Sequence, residues 1–164
     1  MPKLDVEDIG AELDGVTRSG LDLLETFDEI ESTNSYLMQQ PEPQPGSIRV
    51  AATLNQTAGR GRYGKQWLSP PGSGLCLSIA YTFVRKPENL PALTLAIGLG
   101  AIEALQVCNV NNVMLKWPND LVLNGGKLGG ILTEAHAHSS NAISIVAGIG
   151  VNIDVGAGFE QQLG

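Results

Sequence analysis

One segment of the chain concentrates residues that bind anions. Nine consecutive residues that begin at Gly59 contain three glycines and three cations, Arg60, Arg62 and Lys65. The whole chain carries a formal net charge of -7, yet residues 43–87 contain no Asp or Glu. Glycines let backbone N–H groups approach a ligand closely, and Arg and Lys supply positive charge and several donors. The segment therefore predicts a binding site for a phosphate or a carboxylate.

The context of these glycines decides what kind of site they form. They match the spacing of the dinucleotide fingerprint and nearly that of the P-loop, but both need a helix that starts at the glycines. Residues 66–74 follow instead, and their two adjacent prolines and two glycines exclude a helix. An Arg/Gly-rich RNA-binding segment is a non-enzymatic alternative, although such segments are usually longer and repeated. We predict a loop over an anionic ligand and name residues 56–67 the glycine–arginine loop.

Other candidate residues lie where short elements are expected to begin or end. Ser32, Thr33 and Asn34 are N-cap residue types placed before an apolar run, which predicts a helix start there. Such a start presents hydroxyls, an amide and free N–H groups, and it suits a neutral polar ligand. Lys127 follows a predicted glycine hairpin turn. Asp120 is a hard oxygen ligand of the kind that Mg²⁺ prefers.

The elements that position these residues predict an α+β domain. We expect a mixed, mostly antiparallel central sheet with flanking helices. One helix, over residues 90–107, is apolar almost all round, which predicts that it is buried in the middle of the fold. The other expected elements are a helix over 5–24 with a turn at Gly15 or Gly20, a helix from 32 onward, and strands over 26–30, 48–54, 75–84, 113–116, 121–123, 127–137 and 142–153.

Composition bounds the class of protein. The chain has 164 residues, 43% of them hydrophobic and 16% charged, which predicts one globular domain over residues 1–164. Its acidic balance argues against binding nucleic acid. The acidic N-terminus is no secretory signal, and the apolar run over 90–105 is interrupted and too short to span a bilayer. Cys76 and Cys108 are expected to be buried free thiols. We therefore predict a cytoplasmic protein without a membrane or nucleic-acid partner.

Five motifs, taken in order, resemble one family. They are Glu-Ser-Thr-Asn at 31–34, the glycine–arginine loop, Leu-Lys-Trp-Pro-Asn-Asp at 115–120, Lys-Leu-Gly-Gly-Ile-Leu at 127–132 and Gly-Ile-Gly-Val-Asn-Ile at 148–153. Together they resemble the catalytic domain of the biotin protein ligases, the biotin–[acetyl-CoA-carboxylase] ligases, most strongly over residues 26–153. The resemblance implies an ATP-dependent ligase that forms a C–N bond. Such an enzyme activates biotin as biotinyl-5′-AMP and then transfers biotin to a lysine of a carboxylase carrier domain.

The resemblance also implies roles for individual residues. The implied catalytic residues are Lys127, Arg62, Arg60 and Asp120, with Lys127 acting electrostatically and Asp120 as the candidate Mg²⁺ ligand. The implied biotin site consists of Ser32, Thr33, Asn34, Gln56, Gly59, Arg60, Gly61, Arg62, Lys127, Gly130, Gly148 and Gly150. The implied ATP and adenylate site consists of Arg62, Lys65, Trp67, Lys116, Asn119, Asp120 and Asn152. The glycine–arginine loop is expected to fold over the bound reactants as a lid that excludes water.

The extent of the chain leaves alternatives open. We expect no helix-turn-helix segment before the catalytic region, and we expect the family's small C-terminal β-barrel domain to be absent. Whether this chain completes full turnover is therefore open. One alternative is a lipoate-type protein ligase, which shares the fold and chemistry, and another is a truncated, non-catalytic biotin-binding module. The partners implied by the family are a biotin carboxyl carrier domain and a second copy of the chain in a homodimer.

Overall fold

The computed structural model describes residues 3–137 and 142–153. The strands are β1 (Leu21–Phe27), β2 (Ile48–Thr53), β3 (Gly74–Phe83), β4 (Met114–Lys116), β5 (Asp120–Leu123), β6 (Gly126–Ala137) and β7 (Ile143–Asn152). The helices are α1 (Val6–Glu12), α2 (Gly15–Gly20), α3 (Thr33–Gln39) and α4 (Leu90–Val107), with a short 3₁₀ turn at Arg62–Gly64.

All seven of these strands form one sheet in the order β1-β2-β3-β7-β6-β5-β4. β1 pairs with β2 in parallel, and the other neighbours within the described chain pair antiparallel. The prediction of a mixed, mostly antiparallel central sheet is therefore confirmed. The long strands β3, β7 and β6 lie side by side in its middle, so residues from distant parts of the sequence meet there.

The N-terminal prediction was wrong in part. The expected helix over residues 5–24, with a turn at Gly15 or Gly20, is two short helices followed by β1, and β1 starts five residues before the predicted strand. Each helix has its own aspartate cap, because Asp5 accepts a hydrogen bond from the Glu7 N–H at 2.7 Å and Asp14 accepts one from the Thr17 N–H at 2.7 Å. The Asp14 cap lies one residue before the expected turn at Gly15, so the break between the helices agrees with the prediction and the early start of β1 does not.

Helix α3 begins where its residue types predict. Ser32 is the N-cap, and its hydroxyl accepts a hydrogen bond from the Ser35 N–H at 3.3 Å. Leu37 of the helix packs with Ala51, Ala80 and Val146, small or branched side chains from β2, β3 and β7. These contacts seat the helix on the centre of the sheet, and they bury its first turn.

Helix α4 has the predicted bounds, but it is not buried. Among its residues, all described here, Gly98 alone is fully buried, while Leu99 and Val107 are 56% and 84% exposed. A Cβ atom at Gly98 would lie 2.7 Å from a methyl carbon of Leu115 and 3.1 Å from one of Ile131. The helix therefore contacts the sheet through one narrow stripe. An apolar sequence does not specify how many sides of a helix are covered.

Helix α4 is also long and apolar enough to cross a membrane, judged by length and composition alone. It has 18 residues and a mean hydropathy of 1.6. Core helices of soluble proteins also reach this length and hydropathy, so one such helix is by itself weak evidence for a membrane span. In this structure the helix approaches the sheet closely at Gly98, against Leu115 and Ile131.

The two cysteines differ in environment. Both are free thiols, but Cys76 is buried and Cys108 is exposed. Burial raises the pKa of the Cys76 thiol. The prediction that both are buried was wrong for Cys108, because it caps the C-terminal end of α4 beside the exposed Val107.

Candidate active site

A cavity of about 260 Å³ lies between the start of α3, the glycine–arginine loop and the neighbouring strands β5, β6 and β7. Of the residues described, every predicted site residue lines this cavity except Gly59, Lys116 and Asn152. The predicted residues on its wall are Ser32, Thr33, Asn34, Gln56, Arg60, Gly61, Arg62, Lys65, Trp67, Asn119, Asp120, Lys127, Gly130, Gly148 and Gly150. All five motifs of the chain thus converge on one space.

One end of the cavity is formed by neutral side chains, which we name the polar network: Thr33, Asn34, Gln56 and Ser78. Both the N–H and the hydroxyl of Thr33 donate to Gln56 Oε1, at 2.8 and 3.1 Å. The Thr33 and Ser78 hydroxyl oxygens are 2.6 Å apart, and Ser78 donates to Asn34 Oδ1 at 2.6 Å. Because Thr33, Asn34 and Ser78 are buried, these mutual hydrogen bonds hold their donors and acceptors in fixed directions.

A glycine in β7 makes room for this network. A Cβ atom at Gly148 would overlap the Asn34 carboxamide, and its distance to Asn34 Cγ would be 2.9 Å. The Asn34 amide group also donates to the Leu132 carbonyl at 3.3 Å and to Glu134 Oε2 at 3.0 Å. The orientation of Asn34 therefore depends on contacts with β3, β6 and β7 together.

The other end of the cavity carries charge, and we name it the cation end: Arg62, Asn119, Asp120 and Lys127. The Lys127 ammonium lies 2.9 Å from Asp120 Oδ1, and both side chains are partly exposed. It also lies 5.8 Å from the centre of the Trp67 ring. β5 and β6 are adjacent strands, so the ion pair is held by the sheet beneath it.

The glycine–arginine loop is an irregular hairpin rather than the start of a helix. The Trp67 N–H donates to the Gly59 carbonyl at 2.9 Å, and the Gly61 N–H donates to the Lys65 carbonyl at 2.7 Å. Its tip is the 3₁₀ turn, where Tyr63 has a φ of 55° and Gly64 a φ of 74°. The prediction that no helix follows the glycines is confirmed. The dinucleotide fingerprint and the P-loop both require such a helix, so the loop is neither of them.

The two arginines of the loop contact opposite ends of the cavity. Arg60 donates to Glu134 Oε1 at 2.7 Å and to the Ser35 hydroxyl at 3.3 Å, beside the polar network. Arg62 donates to Asn119 Oδ1 at 3.1 Å, at the cation end. The loop thereby spans the cavity from end to end.

Trp67 lies on a floor of glycines. Gly130 and Gly150 are direct partners in the β6–β7 pair. A Cβ atom at Gly150 would come within 2.5 Å of two indole carbons, and one at Gly130 within 3.4 Å of a third. Since Trp67 is half-buried and also lines the cavity, its indole is a wall of the site as well as a packing group.

The three predicted residues outside the wall lie beside it. A Cβ atom at Gly59 would overlap the Trp67 carbonyl oxygen, so this glycine closes the base of the loop. Lys116 is exposed on β4 and pairs in register with Asp120. Asn152 donates to the Lys127 carbonyl at 3.3 Å.

Sequence reasoning missed two residues that hold the site together. Ser78 is completely buried in β3, where small residues alternate with larger apolar ones, and this alternation was a signal for a small-residue face. Glu134 is a largely buried carboxylate that follows the apolar residues Ile131 and Leu132 in β6, and charged residues are rarely buried without a partner. Tyr63 and Cys76 also line the cavity without having been predicted.

The donor set of the cavity limits how a metal could bind. Within the described ranges, no group of three or more His, Cys, Asp or Glu residues could hold a metal ion. Asp120 is the acidic side chain on the described wall of the cavity. Mg²⁺ is commonly held by one or two carboxylates together with substrate phosphates. A single carboxylate fits that arrangement and does not fit a cage made by protein alone.

The fold is that of a known class of ligases. Residues 26–152 match the profile of the Biotin/lipoate A/B protein ligase family. The chain belongs to this family.

Individual curated relatives show which members of the family the chain is similar to. The chain is 40% identical over 125 residues to the bifunctional ligase/repressor BirA of Escherichia coli, covering 76% of this chain and 38% of that protein. It is 32% identical over 159 residues to the biotin–[acetyl-CoA-carboxylase] ligase of Mycobacterium tuberculosis, covering 93% of this chain and 57% of that one. The chain thus spans about two fifths to three fifths of the length of these relatives.

Solved structures show the same architecture. The biotin protein ligase from Aquifex aeolicus in complex with biotin and ATP aligns with a TM-score of 0.63 at 31% identity, over 81% of this chain and 53% of that one. The Leishmania major enzyme in complex with biotinyl-5-AMP aligns with a TM-score of 0.63 at 28% identity, over 83% and 58%. A putative lipoate protein ligase from T. acidophilum aligns over 84% and 70% with a TM-score of 0.59, but at 8% identity it shares the fold alone.

Proposed function

We propose that this chain carries the catalytic site of an ATP-dependent biotin protein ligase. In this proposal it joins biotin to AMP with release of pyrophosphate and then transfers the biotinyl group to a lysine of a biotin carboxyl carrier domain. The observation that carries the proposal is one cavity with a buried neutral network at one end and cations at the other. Biotin has a matching layout, with a neutral ureido ring at one end and a carboxylate at the other.

The polar network suits the ureido ring. A ureido group offers a carbonyl acceptor and two N–H donors and carries no charge. Thr33, Asn34 and Ser78 present hydroxyls and an amide in a buried setting, where an unmatched polar group costs about 1–3 kcal/mol. Their mutual hydrogen bonds leave further lone pairs and donor capacity on the hydroxyls and amides, which a ureido group can match and an apolar head group cannot. This is the physical reason to favour biotin over lipoate, whose dithiolane ring is largely apolar.

The cation end suits adenylation. A carboxylate oxygen of biotin forms a bond to the α-phosphorus of ATP, and the bond from that phosphorus to the pyrophosphate oxygen breaks. Two anions must approach, and negative charge grows on the phosphoryl oxygens. Lys127 and Arg62 supply preorganised positive charge against both effects, and Lys127 acts without forming a covalent bond.

Other residues of the proposed ATP site orient the nucleotide. Asp120 would hold Mg²⁺, whose charge would offset that of the ATP phosphates. Trp67 offers an aromatic face, and Asn119 offers an amide beside Arg62. Lys65 lies on the loop side of the site, where it is exposed to an approaching phosphate. Lys116 and Asn152 would act from beside the cavity, Asn152 by holding the backbone of Lys127.

The glycine–arginine loop would then act as the lid. Its arginines lie across both ends of the cavity, so closing it covers the ligand along its length. Excluding water protects the mixed anhydride from hydrolysis until the carrier lysine arrives. The lysine amine then attacks the biotinyl carbonyl, forming the C–N bond and releasing AMP.

We also infer the setting in which the protein acts. The partners we propose are biotin, ATP and a carboxylase carrier domain, together with a second copy of the chain in a homodimer. We propose the cytoplasm as the compartment of the reaction. Nucleic acid and membranes have no part in the proposed reaction.

Pyrophosphate release tests this function. The purified chain is mixed with ATP and Mg²⁺ and either biotin or lipoate, and pyrophosphate is measured over time. We expect release with biotin and far less with lipoate. Equal or greater release with lipoate would support the lipoate-type alternative, and tight biotin binding without release would leave only a binding module.

A further inference from the structure

Glu134 lies where the loop, the polar network and the sheet meet. It belongs to β6, and its side chain is 19% exposed. Its two carboxylate oxygens serve different parts of the molecule. Oε1 accepts from Arg60 Nη2 at 2.7 Å, and Oε2 accepts from the Asn34 amide nitrogen at 3.0 Å. One carboxylate thus joins the loop to the start of α3.

The backbone at Glu134 is the fixed member of this junction. β6 is paired along its length with β7, and Glu134 stands opposite Val146, which is buried. Arg60, by contrast, lies on a loop whose backbone hydrogen bonds between residues 59 and 67 run within the loop itself rather than to the sheet. Because the sheet fixes the position of the carboxylate, the position of Glu134 decides where Arg60 can rest.

The same carboxylate fixes the direction of the Asn34 amide. Ser78 donates to Asn34 Oδ1, while Asn34 Nδ2 donates to Glu134, so the two ends of the carboxamide have opposite partners. Removing the carboxylate would leave a partly buried donor of Asn34 with a weaker set of acceptors. It would also remove the charged acceptor of Arg60, and such charge-assisted hydrogen bonds are the stronger kind.

We propose that Glu134 is a positioning residue that couples closure of the glycine–arginine loop to the orientation of Asn34. A ligand that binds Asn34 favours the arrangement in which Glu134 holds Arg60. The closed loop in turn favours the orientation of the Asn34 carboxamide that binds the ligand. Such coupling is reciprocal. The identity of the ligand as biotin rests on the proposed function, whereas the coupling geometry does not.

The first experiment uses no ligand. The loop contains three trypsin sites, Arg60, Arg62 and Lys65, so its cleavage rate reports how often it opens. We compare the wild type with Glu134→Gln, which keeps the shape of the side chain and removes its charge. We expect cleavage in the loop to become about fivefold faster, because a charged hydrogen bond is lost.

The matched control is Glu29→Gln. Glu29 is an exposed carboxylate outside the cavity, and it accepts a hydrogen bond from the Asn55 amide at 2.7 Å. It shares the type of contact with Glu134 but does not touch the loop arginines. Its cleavage rate should equal that of the wild type. Equal rates in Glu134→Gln and wild type would overturn the proposal whether or not the chain binds biotin.

The second experiment adds biotin and measures both affinity and trypsin cleavage. In the wild type, biotin should slow cleavage of the loop. In Glu134→Gln, biotin affinity should fall about tenfold, a coupling of ordinary size, and bound biotin should no longer slow cleavage. A purely structural role for Glu134 would speed cleavage but leave protection by bound biotin intact, and that result would overturn the coupling.

A double-variant cycle completes the test. If Glu134 acts through Arg60, then Arg60→Ala and Glu134→Gln should have less than additive effects on biotin affinity. Additive effects would contradict the coupling. A wild type that binds no biotin would contradict the proposed function instead, while the ligand-free experiment would still decide whether Glu134 holds the loop.

Discussion

The two ends of the cavity are built on opposite principles. At the polar network, the side chains are neutral and mostly buried, and they satisfy one another through short hydrogen bonds before any ligand is bound. At the cation end, Lys127 and Arg62 are more exposed, and they rest against Asp120 and Asn119. The first arrangement favours recognition of a neutral group by fixed geometry. The second holds its cations in contacts with Asp120 and Asn119 that a phosphate can replace.

The difference has a physical consequence for how each end responds to change. A buried network loses function when its geometry is disturbed, even by one added methyl group, because its members cannot move far. A charged, partly exposed end tolerates small changes of shape but fails when charge is lost. The following variants and conditions test this difference between the two ends, from the largest expected effect to the smallest.

The largest effect should come from Lys127→Ala. Loss of a preorganised charge at the reacting phosphate should slow adenylate formation about 10²- to 10³-fold, the cost typical of removing one transition-state donor. Pyrophosphate release measures the rate, and circular dichroism should show an unchanged fold. Lys86→Ala, at an exposed lysine away from the cavity, serves as the control. Release at the wild-type rate in Lys127→Ala would remove this residue from its proposed role.

At the opposite end, Gly148→Ala should weaken biotin binding without removing any charge. The new methyl group overlaps the Asn34 carboxamide, and overpacking of this kind costs about 1–3 kcal/mol. Titration calorimetry would then report an affinity lower by about 5- to 150-fold. Gly100→Ala on α4 is the matched control, since its Cβ atom would meet nothing within 4 Å. Unchanged affinity in Gly148→Ala would show that Asn34 is not needed in its present position.

Arg62→Ala should release the adenylate sooner. Arg62 fastens the loop tip to Asn119, and it is one of the charges proposed to cover the phosphate. We expect the dissociation rate of biotinyl-5′-AMP to rise about tenfold, the factor that corresponds to about 1.4 kcal/mol. Fluorescence of Trp67 after rapid dilution would follow the release. A dissociation rate equal to that of the wild type would be at odds with the lid.

The smallest effect concerns salt. Exposed charges are screened over about 10 Å at 0.1 M salt and about 3 Å at 1 M, whereas contacts between neutral buried groups are not. Raising KCl from 0.1 to 1 M should therefore weaken ATP binding several-fold and biotin binding less, because ATP places several charged phosphate oxygens at the cation end and biotin only one carboxylate. Calorimetry on the wild type measures both affinities. Equal salt dependence for the two ligands would mean that the ends do not differ as described.

The sequence predicted the cavity better than it predicted the elements around it. Residue type alone located the start of α3 at Ser32, and two adjacent prolines showed that the glycine–arginine loop could not open a helix. Local chemistry decided both features. The order of the five motifs then indicated which segments converge.

Features that depend on distant contacts were not predictable in this way. Ser78 and Glu134 meet Asn34 across 44 and 100 residues of sequence, so nothing near them in the chain reveals their partners. The exposure of α4 depends on what covers the sheet, not on its own apolar residues. The start of β1 at Leu21 was missed because the amphipathic pattern that predicts a helix continues to Leu24.

Substrate preference in Ser78→Ala tests the central claim most directly, because this variant disturbs the polar network and leaves every cation in place. The measurement is the ratio of pyrophosphate release with biotin to that with lipoate, in wild type and variant. We predict a strong preference for biotin in the wild type, reduced in Ser78→Ala mainly through weaker biotin binding. A variant that keeps the full wild-type preference would contradict the claim that the neutral end selects the substrate.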